Sequence, residues 1–447
     1  MPKNTDTITA IATPSGRGGI GVVRVSGNKT KGIYKALTGA SPKARLAQFV
    51  SFKSSDQKTI DKGIALYFKA PASYTGEDVM ECHAHGSRVV LGMLLEEILS
   101  QGARLAQPGE FTERAFINNK IDLLQAEAVA DLIDSNSKKA ARSAMQSLSG
   151  VFSDSIKDLR ERVFSAKALI EAALDFPEEE DVVVDTLPAT TELKESLVLL
   201  SELIVKAEAG RVLDQNPSIV IAGRPNAGKS SVLNYLAGYD SAIVSTTPGT
   251  TRDVIKEKVL LGDYAVTLFD TAGIRDTEDT VEQAGVDRAQ KSLALADIVL
   301  CVHDNTLDET SINVELINHI SPGAKIILVR NKIDLCNSGS FKNSENEVFI
   351  SVKTKAGMDN LIATVCRHLE IVENEEDLIF SRQRHIDDLH KISESLNSVL
   401  SDEASGAGLE VLAESLRQCL AGFDELTGKT TSDDVLGAVF SKFCIGK

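Results

Sequence analysis

The spacing of apolar and polar residues divides the chain into four stretches. Across residues 1–120, short β-type runs such as GIGVVRVSG and KGIALYFKA lie between turn residues, and one longer apolar segment, VVLGMLLEEILSQG, has helical spacing. This predicts a compact α+β domain. Across 121–216 the pattern lengthens into Ala/Leu/Glu/Lys-rich segments, LLQAEAVADLIDS and AKALIEAALDF among them, which predicts helices. The acidic PEEED (177–181) reads as a solvated break between them. Across 217–372 the runs SIVIAG, VTLFD, DIVLCVHD, KIILVRN and EVFISV alternate with amphipathic segments. Strands that are apolar throughout are buried on both faces, so a doubly wound, mainly parallel α/β sheet is predicted. Helical spacing returns over 373–447 in HIDDLHKISESLNSVL and GLEVLAESLRQCLAGFDELTG. The sheet is therefore read as an insertion between two helical halves that pack together.

Size and charge refine this picture. At 447 residues, 43% hydrophobic and 25% charged, the chain exceeds one core and is expected to form about three domains. No apolar run approaches the ~18 residues of a membrane span, and MPKNTDTITA lacks the basic-then-apolar order of a secretion signal, so a cytoplasmic protein is expected. Net charge is −16, unevenly spread. Residues 1–120 hold 16 Lys/Arg against 10 Asp/Glu, a net of +6, which leaves −22 for the remainder. A polyanion is expected to approach the first segment. The six cysteines, Cys82, Cys301, Cys336, Cys366, Cys419 and Cys444, lack C-x-x-C spacing, so most read as reduced core thiols rather than a zinc or disulfide framework. Cys444, three residues from the end in FCIGK, fits that reading less easily.

The motifs carry a definite chemistry. GRPNAGKS (223–230) follows an apolar strand and precedes SVLNYLAG, the strand–loop–helix context of a phosphate-binding loop. Its backbone N–H groups and helix dipole suit a β-phosphate, Lys229 suits the β- and γ-phosphates, and the Ser230 hydroxyl suits Mg²⁺. DTAG closes the strand VTLFD, placing Asp270 to hold the metal's hydration shell and Gly273 to offer an N–H to the γ-phosphate. STTPGTTRD (245–253) is a polar loop able to order over a nucleotide, with Thr251 a candidate metal ligand. NKID (331–334) follows the strand KIILVR, and the Asp334 carboxylate accepts from guanine N1–H and the 2-amino group, so GTP is expected. ISVK (350–353) offers a backbone N–H to guanine O6. Ile274 stands where Ras-type enzymes have a water-orienting glutamine. Glu282 is read either as its functional substitute or as part of a solvated acidic loop.

With these motifs, ATPSGRGGIG (12–21), SYTGEDVMECHAHG (73–86), PGEFTERAFINNKIDLLQAEAVADLID (108–134) and TSDDVLGAVFSKFCIGK (431–447), the chain resembles the tRNA-modification GTPase family called MnmE or TrmE over nearly every residue. The resemblance implies a multidomain protein: an α+β N-terminal folate-binding and dimerisation domain (1–120), an all-α helical domain in two halves (121–216 and 373–447) and an inserted α/β P-loop G domain (217–372). It implies GTP contacts on Asn226, Ala227, Gly228, Lys229, Ser230 and Ser231, and on the loop Ser245, Thr246, Thr247, Pro248, Gly249, Thr250 and Thr251. Further GTP contacts fall on Asp270, Thr271, Ala272 and Gly273, and on Asn331, Lys332, Ile333 and Asp334. It assigns Glu282 the catalytic role, and K⁺ to Asn226, Ser245, Thr247 and Thr250, where the ion supplies charge that an arginine finger gives elsewhere.

The same resemblance implies folate contacts at Arg24, Glu81, Lys120 and Lys447, for a tetrahydrofolate derivative in its 5-formyl or 5,10-methylene form. A docked Lys447 brings Cys444 to the one-carbon site; the thiol is read as chemical or positioning there, or as a packing residue, and lipidation fits Gly446–Lys447 poorly. Implied partners are a second copy in a homodimer, the FAD- and NADH-using MnmG (GidA) protein in a heterotetramer, and tRNA, whose wobble uridine gains an aminomethyl or carboxymethylaminomethyl group. The chain departs from the family in reading SVK, with Val352, where SAK is usual. Cys82, His83 and His85 form a C-H-x-H run, read as non-metal because strand alternation sends both histidines to the face beside a folate contact. A GTP-switched RNA-binding or ribosome-assembly factor is the competing reading, since G domains serve there too.

Overall fold

The computed structural model describes residues 6–175, 187–214, 217–238, 256–270, 293, 296–307, 320–321, 323–336, 341–369, 379, 381–430, 433–441 and 443–446. They form two compact units, one of Met1–Ala130, Leu148–Lys194 and Glu394–Lys447, the other of Asp131–Ser147 and Glu195–Ser393.

The first unit opens with a six-stranded sheet in the order β3-β4-β5-β2-β1-β6. Its strands are β1 (Ile8–Ile11), β2 (Gly18–Ser26), β3 (Gln48–Lys53), β4 (Thr59–Phe68), β5 (Val79–Gly86) and β6 (Arg104–Leu105). All neighbours are antiparallel except β1 and β6. Helices α1 (Thr30–Thr38) and α2 (Arg88–Ser100) cover one face, burying Val23, Val25, Phe52 and Met80 against Ile33, Leu37, Leu94 and Ile98. The other face at β1 is closed by Phe111 of α3 (Glu110–Ile117), packed on Ile8, Ala10 and Ala106.

The segment therefore holds three helices where the apolar pattern suggests one. TKGIYKALT is short and glycine-containing, yet Ile33, Tyr34 and Leu37 fall on one side and are fully buried, so packing overrides weak propensity. EFTERAFI is held by charge as well as by Phe111. The guanidinium of Arg114, 4% exposed, donates to Glu110 Oε1 at 2.9 Å, Asp6 Oδ1 at 2.7 Å and Glu77 Oε2 at 3.1 Å.

Helices α4 (Leu123–Asp134), α5 (Lys138–Leu148), α6 (Val151–Asp175) and α7 (Leu187–Asp214) follow. The next sheet, wholly within the second unit, has the order β12-β11-β10-β7-β9-β8. Its members are β7 (Ser218–Gly223), β8 (Lys256–Leu261), β9 (Tyr264–Asp270), β10 (Ile298–Asp304), β11 (Lys325–Asn331) and β12 (Glu347–Phe349). All pair in parallel except β8, an antiparallel edge strand whose sequence KEKVLL, charged at its start, did not stand out as apolar. Helices α8 (Lys229–Ala237) and α9 (Met358–Leu369) pack on one face through Val232, Leu233, Leu361 and Val365. The opposite face buries Val220, Ala222, Val299 and Cys301 against Leu293 and Ala296.

Helices α10 (Gln383–Ala404), α11 (Leu409–Thr427) and α12 (Asp433–Phe440) complete the chain. Segments before and after the inserted sheet do pack on one another. In the first unit Arg160 of α6 donates to Asp424 of α11 at 2.7 Å, and Thr190 of α7 to Glu403 of α10 at 3.0 Å. In the second, Ser381 donates to the Ala207 carbonyl, and His390 Nε2 lies 3.1 Å from Glu208 Oε1. Among the described residues no helix is long and apolar enough to cross a membrane.

Candidate functional site

Strand order in the second sheet reverses at β7, whose neighbours β9 and β10 lie on either side, so the loop after β7 occupies a switch point of the kind where open α/β sheets bind ligands. Gly223 ends the strand at φ +147, where a Cβ would stand 2.2 Å from the Val302 carbonyl oxygen. The chain then turns through Asn226 at φ +65 and Gly228 at φ +98 into α8. A Cβ on Gly228 would lie 2.3 Å from Nδ2 of Asn331, so only glycine lets the two loops approach. Buried Lys229 turns its ammonium back to donate to the Arg224 carbonyl at 2.9 Å. A cation thus stands beside a tight backbone turn at a helix N-terminus, a cradle for phosphate. Asp270, the last residue of β9, pairs in register with Ile221 and so shares this sheet edge.

The base end is built from β11 and the loop after β12. Asn331, 4% exposed, donates through Nδ2 to the Ala227 carbonyl at 2.9 Å and accepts at Oδ1 from the Val352 amide at 3.4 Å. Lys332 starts the 3-10 turn Ile333–Leu335 in the left-handed region, φ +69. The Asp334 carboxylate accepts from the buried Ser351 hydroxyl at 2.7 Å, and that hydroxyl accepts from the Thr354 amide at 3.2 Å. The ISVK motif points to a backbone donor; the Ser351 hydroxyl gains its part only from the fold, which sets it against Asp334. The extra bulk of Val352 packs on the sheet core.

The first unit gathers a second set of polar groups. Arg24 of β2 and Glu81 of β5 are directly paired, and the guanidinium donates to Glu81 Oε1 at 3.0 and 2.9 Å. His83 Nε2 lies 3.2 Å from Glu81 Oε2. The Arg24 guanidinium lies 5.8 Å from the Tyr74 ring centroid and 5.7 Å from that of Phe111. Tyr74 and Thr112 share a hydrogen bond of 2.9 Å, and burial pushes the Tyr74 phenol above its ordinary pKa. Lys120 lays its stem over Gly76, where a Cβ would be 3.3 Å from Cγ. Both aromatics lie in motifs of the chain, SYTGEDVMECHAHG and PGEFTERAFINNK, but nothing local links either to Arg24; each reaches it only through the fold.

The end of the chain is docked in this same unit. Phe443 is buried with Phe440 and Leu123, Gly109 donates its N–H to the Cys444 carbonyl at 3.4 Å, and Ile445 pairs with Pro108 as an antiparallel bridge. Gly446, at φ +102, approaches so closely that a Cβ would stand 2.5 Å from the Ile11 carbonyl. Ile11 ends β1 and pairs with Val23, the residue before Arg24, so the tail meets the strand next to the one that carries Arg24, with Cys444 exposed.

The other cysteines behave as core or partly buried thiols. Burial pushes Cys301 up to about 11, Cys419 up to about 12 and Cys82 higher still. Cys82 points into the sheet core, while His83 meets Glu81 and His85 meets Asp61 at 2.9 Å, so the three do not converge. Ser245 to Thr251, Thr271, Ala272, Gly273, Glu282, Lys447 and the PEEED stretch lie outside the described residues, and Asp270 is described by its backbone only.

Fold and loop together define a P-loop GTP hydrolase, its sheet lying between helical segments of the chain. A model described as GTP-binding protein TrmE N-terminus matches residues 7–120, and one described as MnmE helical domain matches 123–444. The chain belongs to the MnmE family. The tRNA modification GTPase MnmE of Shewanella loihica is 44% identical over 99% of this chain and 100% of its own length, and that of Coxiella burnetii 45% over 99% of each. Among solved structures, Era in complex with MgGDPNP and nucleotides 1506–1542 of 16S ribosomal RNA is 28% identical over 40% of this chain and 66% of that one, with a TM-score of 0.28.

Proposed function

We propose that the chain is a potassium-activated GTP hydrolase whose cycle drives addition of an aminomethyl or carboxymethylaminomethyl group to C5 of the wobble uridine of certain tRNAs. In this reading it acts as a homodimer, joined by the FAD-dependent MnmG (GidA) protein, which uses NADH, and takes one carbon from a tetrahydrofolate derivative. The division into 1–120, 121–216, 217–372 and 373–447 belongs to the same proposal. The observation that carries it is a single chain with two sites: the phosphate cradle around Lys229, and the Arg24–Glu81 pair beside a docked, thiol-bearing tail.

The residues suit the groups they would hold. Ser230 in the first turn of α8 and Asp270 at the end of β9 share one sheet edge, as Mg²⁺ at the β- and γ-phosphates requires; Thr251 would complete the set. Asn226, left-handed within the loop, suits K⁺ together with Ser245, Thr247 and Thr250, and the ion adds positive charge where the leaving phosphate gains negative charge. Glu282 orients the attacking water in place of the missing glutamine. In the first unit, Glu81 is a carboxylate acceptor whose partner Arg24 lies against the Tyr74 and Phe111 rings, a setting suited to the amino-pyrimidine edge of a pterin. Lys120 and Lys447 supply positive charge for its carboxylate tail, and Cys444 is the thiol at the one-carbon site.

Nucleoside mass spectrometry on tRNA from cells lacking this chain tests the reading. Loss of the modified wobble uridine, restored by the intact chain, is expected. Unchanged wobble uridines overturn it and leave a GTP-switched RNA-binding or ribosome-assembly role.

A further inference from the structure

Asp304 ends β10 directly beside Asn331 at the end of β11, on the sheet face that carries α8 and the phosphate loop. Its carboxylate is fixed at both oxygens. Oδ1 accepts from the Thr306 amide at 3.1 Å and the Thr306 hydroxyl at 2.7 Å, while Oδ2 accepts from Lys332 Nζ at 2.6 Å. The side chains are 15% and 31% exposed, so this is a partly desolvated ion pair rather than a loose surface contact. Burial raises the Asp304 pKa, but the hydrogen bonds from Lys332 and Thr306 outweigh it and hold the group below its ordinary value, as a carboxylate.

Lys332 is in an unusual state for a lysine. Its backbone occupies the left-handed region, which persists in a non-glycine residue only where surrounding contacts over-determine it. The Asn305 amide, which donates to the Asn331 carbonyl at 2.8 Å, and the Asp304 carboxylate are two such contacts. The ammonium is thereby drawn to β10 and its alkyl stem is held in place. This matters because Lys332 stands two residues before Asp334. A free ammonium there would compete for the carboxylate that must accept from guanine, and a mobile stem would have to be ordered each time a nucleotide bound.

We propose that Asp304 is a positioning residue for guanine-nucleotide binding, holding Lys332 away from Asp334 and fixing its stem beside the base. The proposal rests on GTP hydrolysis alone and is read without tRNA or folate, so its failure is separate from that of the tRNA reading. The two nucleotides GTP and GDP share the base, so both should weaken alike.

The test is Asp304→Asn in the full chain, with steady-state GTP hydrolysis and titration by fluorescent GDP. The KM for GTP and the Kd for GDP should each rise about tenfold, the loss typical of one charge-assisted hydrogen bond, with kcat held within about twofold. Asp304→Glu, which keeps the charge, should recover part of the affinity. In a Lys332→Met background, where no ammonium needs holding, Asp304→Asn should cause no further loss. Unchanged KM and Kd overturn the proposal, as does a fall in kcat with KM intact. A loss that is equally large in the Lys332→Met background also overturns it, since that is a purely structural role. Should Asp304→Asn fail to fold, Thr306→Ala removes the hydroxyl bond to Oδ1, leaving only the amide there, and should raise the same KM by a smaller factor; no rise would overturn the proposal.

Discussion

The side-chain amide of Asn331 donates to the carbonyl of Ala227 at 2.9 Å, joining the base-reading end of β11 to the phosphate loop through one buried contact. Asn331→Ala leaves that carbonyl buried without its donor, at a cost of about 1–3 kcal/mol. Thermal unfolding of the GTP-binding unit should shift down and GTP affinity should fall at least tenfold by nucleotide titration. Wild-type affinity would show that the contact does not organise the site.

Gly228 faces the same amide. Its φ of +98 and the 2.3 Å approach to Asn331 leave no room for a methyl group, because the neighbour is an anchored side chain and cannot swing aside. Gly228→Ala should abolish nucleotide binding in calorimetry while the circular dichroism spectrum stays close to that of the parent.

Replacement of the proposed water-orienting carboxylate separates binding from chemistry. Glu282→Ala should retain GTP affinity and lower turnover by about a hundredfold or more, the scale of general-base contributions. Replacing K⁺ with Na⁺ should suppress turnover similarly, since the smaller ion fits coordination by Asn226 and the loop oxygens differently. Equal rates in both salts would remove the cation from the mechanism.

The docked tail allows reactivity and placement to be tested apart. Cys444→Ser should hydrolyse GTP normally yet fail to support wobble-uridine modification, because a hydroxyl ionises far less readily than a thiol with a pKa of about 8.5. Gly446→Val, which would push a side chain against the Ile11 carbonyl, should undock the tail, as should removal of Lys447 in the reading that it contacts folate. Both should weaken folate binding in a direct titration. Full tRNA modification by the serine variant would reduce Cys444 to a packing residue.

Acid should loosen the first unit through the charges around Arg114. Burial raises the Glu110 pKa, but hydrogen bonds from Arg104, the Gln107 amide and Arg114 outweigh it, so the folded value lies below the ordinary 4.5. A carboxyl depressed in the folded state stabilises above its unfolded pKa and loses that contribution as pH falls through the lower, folded value. Stability of this unit should therefore hold down to about pH 4.5 and decline below it. Glu113 has the opposite sign: burial, then the Glu110 charge, raises it, so Glu113→Gln should be neutral or stabilising at pH 7. Arg114→Met leaves Glu110 with Arg104 and the Gln107 amide but removes a buried partner of Glu110, Glu77 and Asp6 together, so it should destabilise by about 1–3 kcal/mol and flatten the acid transition in denaturant titrations. An unchanged acid profile in that variant would assign the transition to other groups.

Contiguous chemistry was legible in the sequence. GRPNAGKS after SIVIAG and NKID after KIILVR each carry their meaning within a few residues, because glycine positions, helix starts and strand ends are set locally. The long apolar runs likewise announced the parallel sheet, whose strands must be buried on both faces. What only the tertiary structure decided are the pairings between distant segments. Nothing near Arg24 points to Phe111 or Tyr74, nothing in HDNT to Lys332, and nothing in FCIGK to Pro108 or Ile11, yet each pair meets. Helices α1 and α3 belong with them: the first forms because Ile33 and Leu37 find a sheet to cover, the second because Arg114 finds Asp6 and Glu77. Local propensity is worth tenths of a kcal/mol per residue, about an order of magnitude less than burying one large apolar side chain or satisfying one buried guanidinium, so the long-range partner settles such segments.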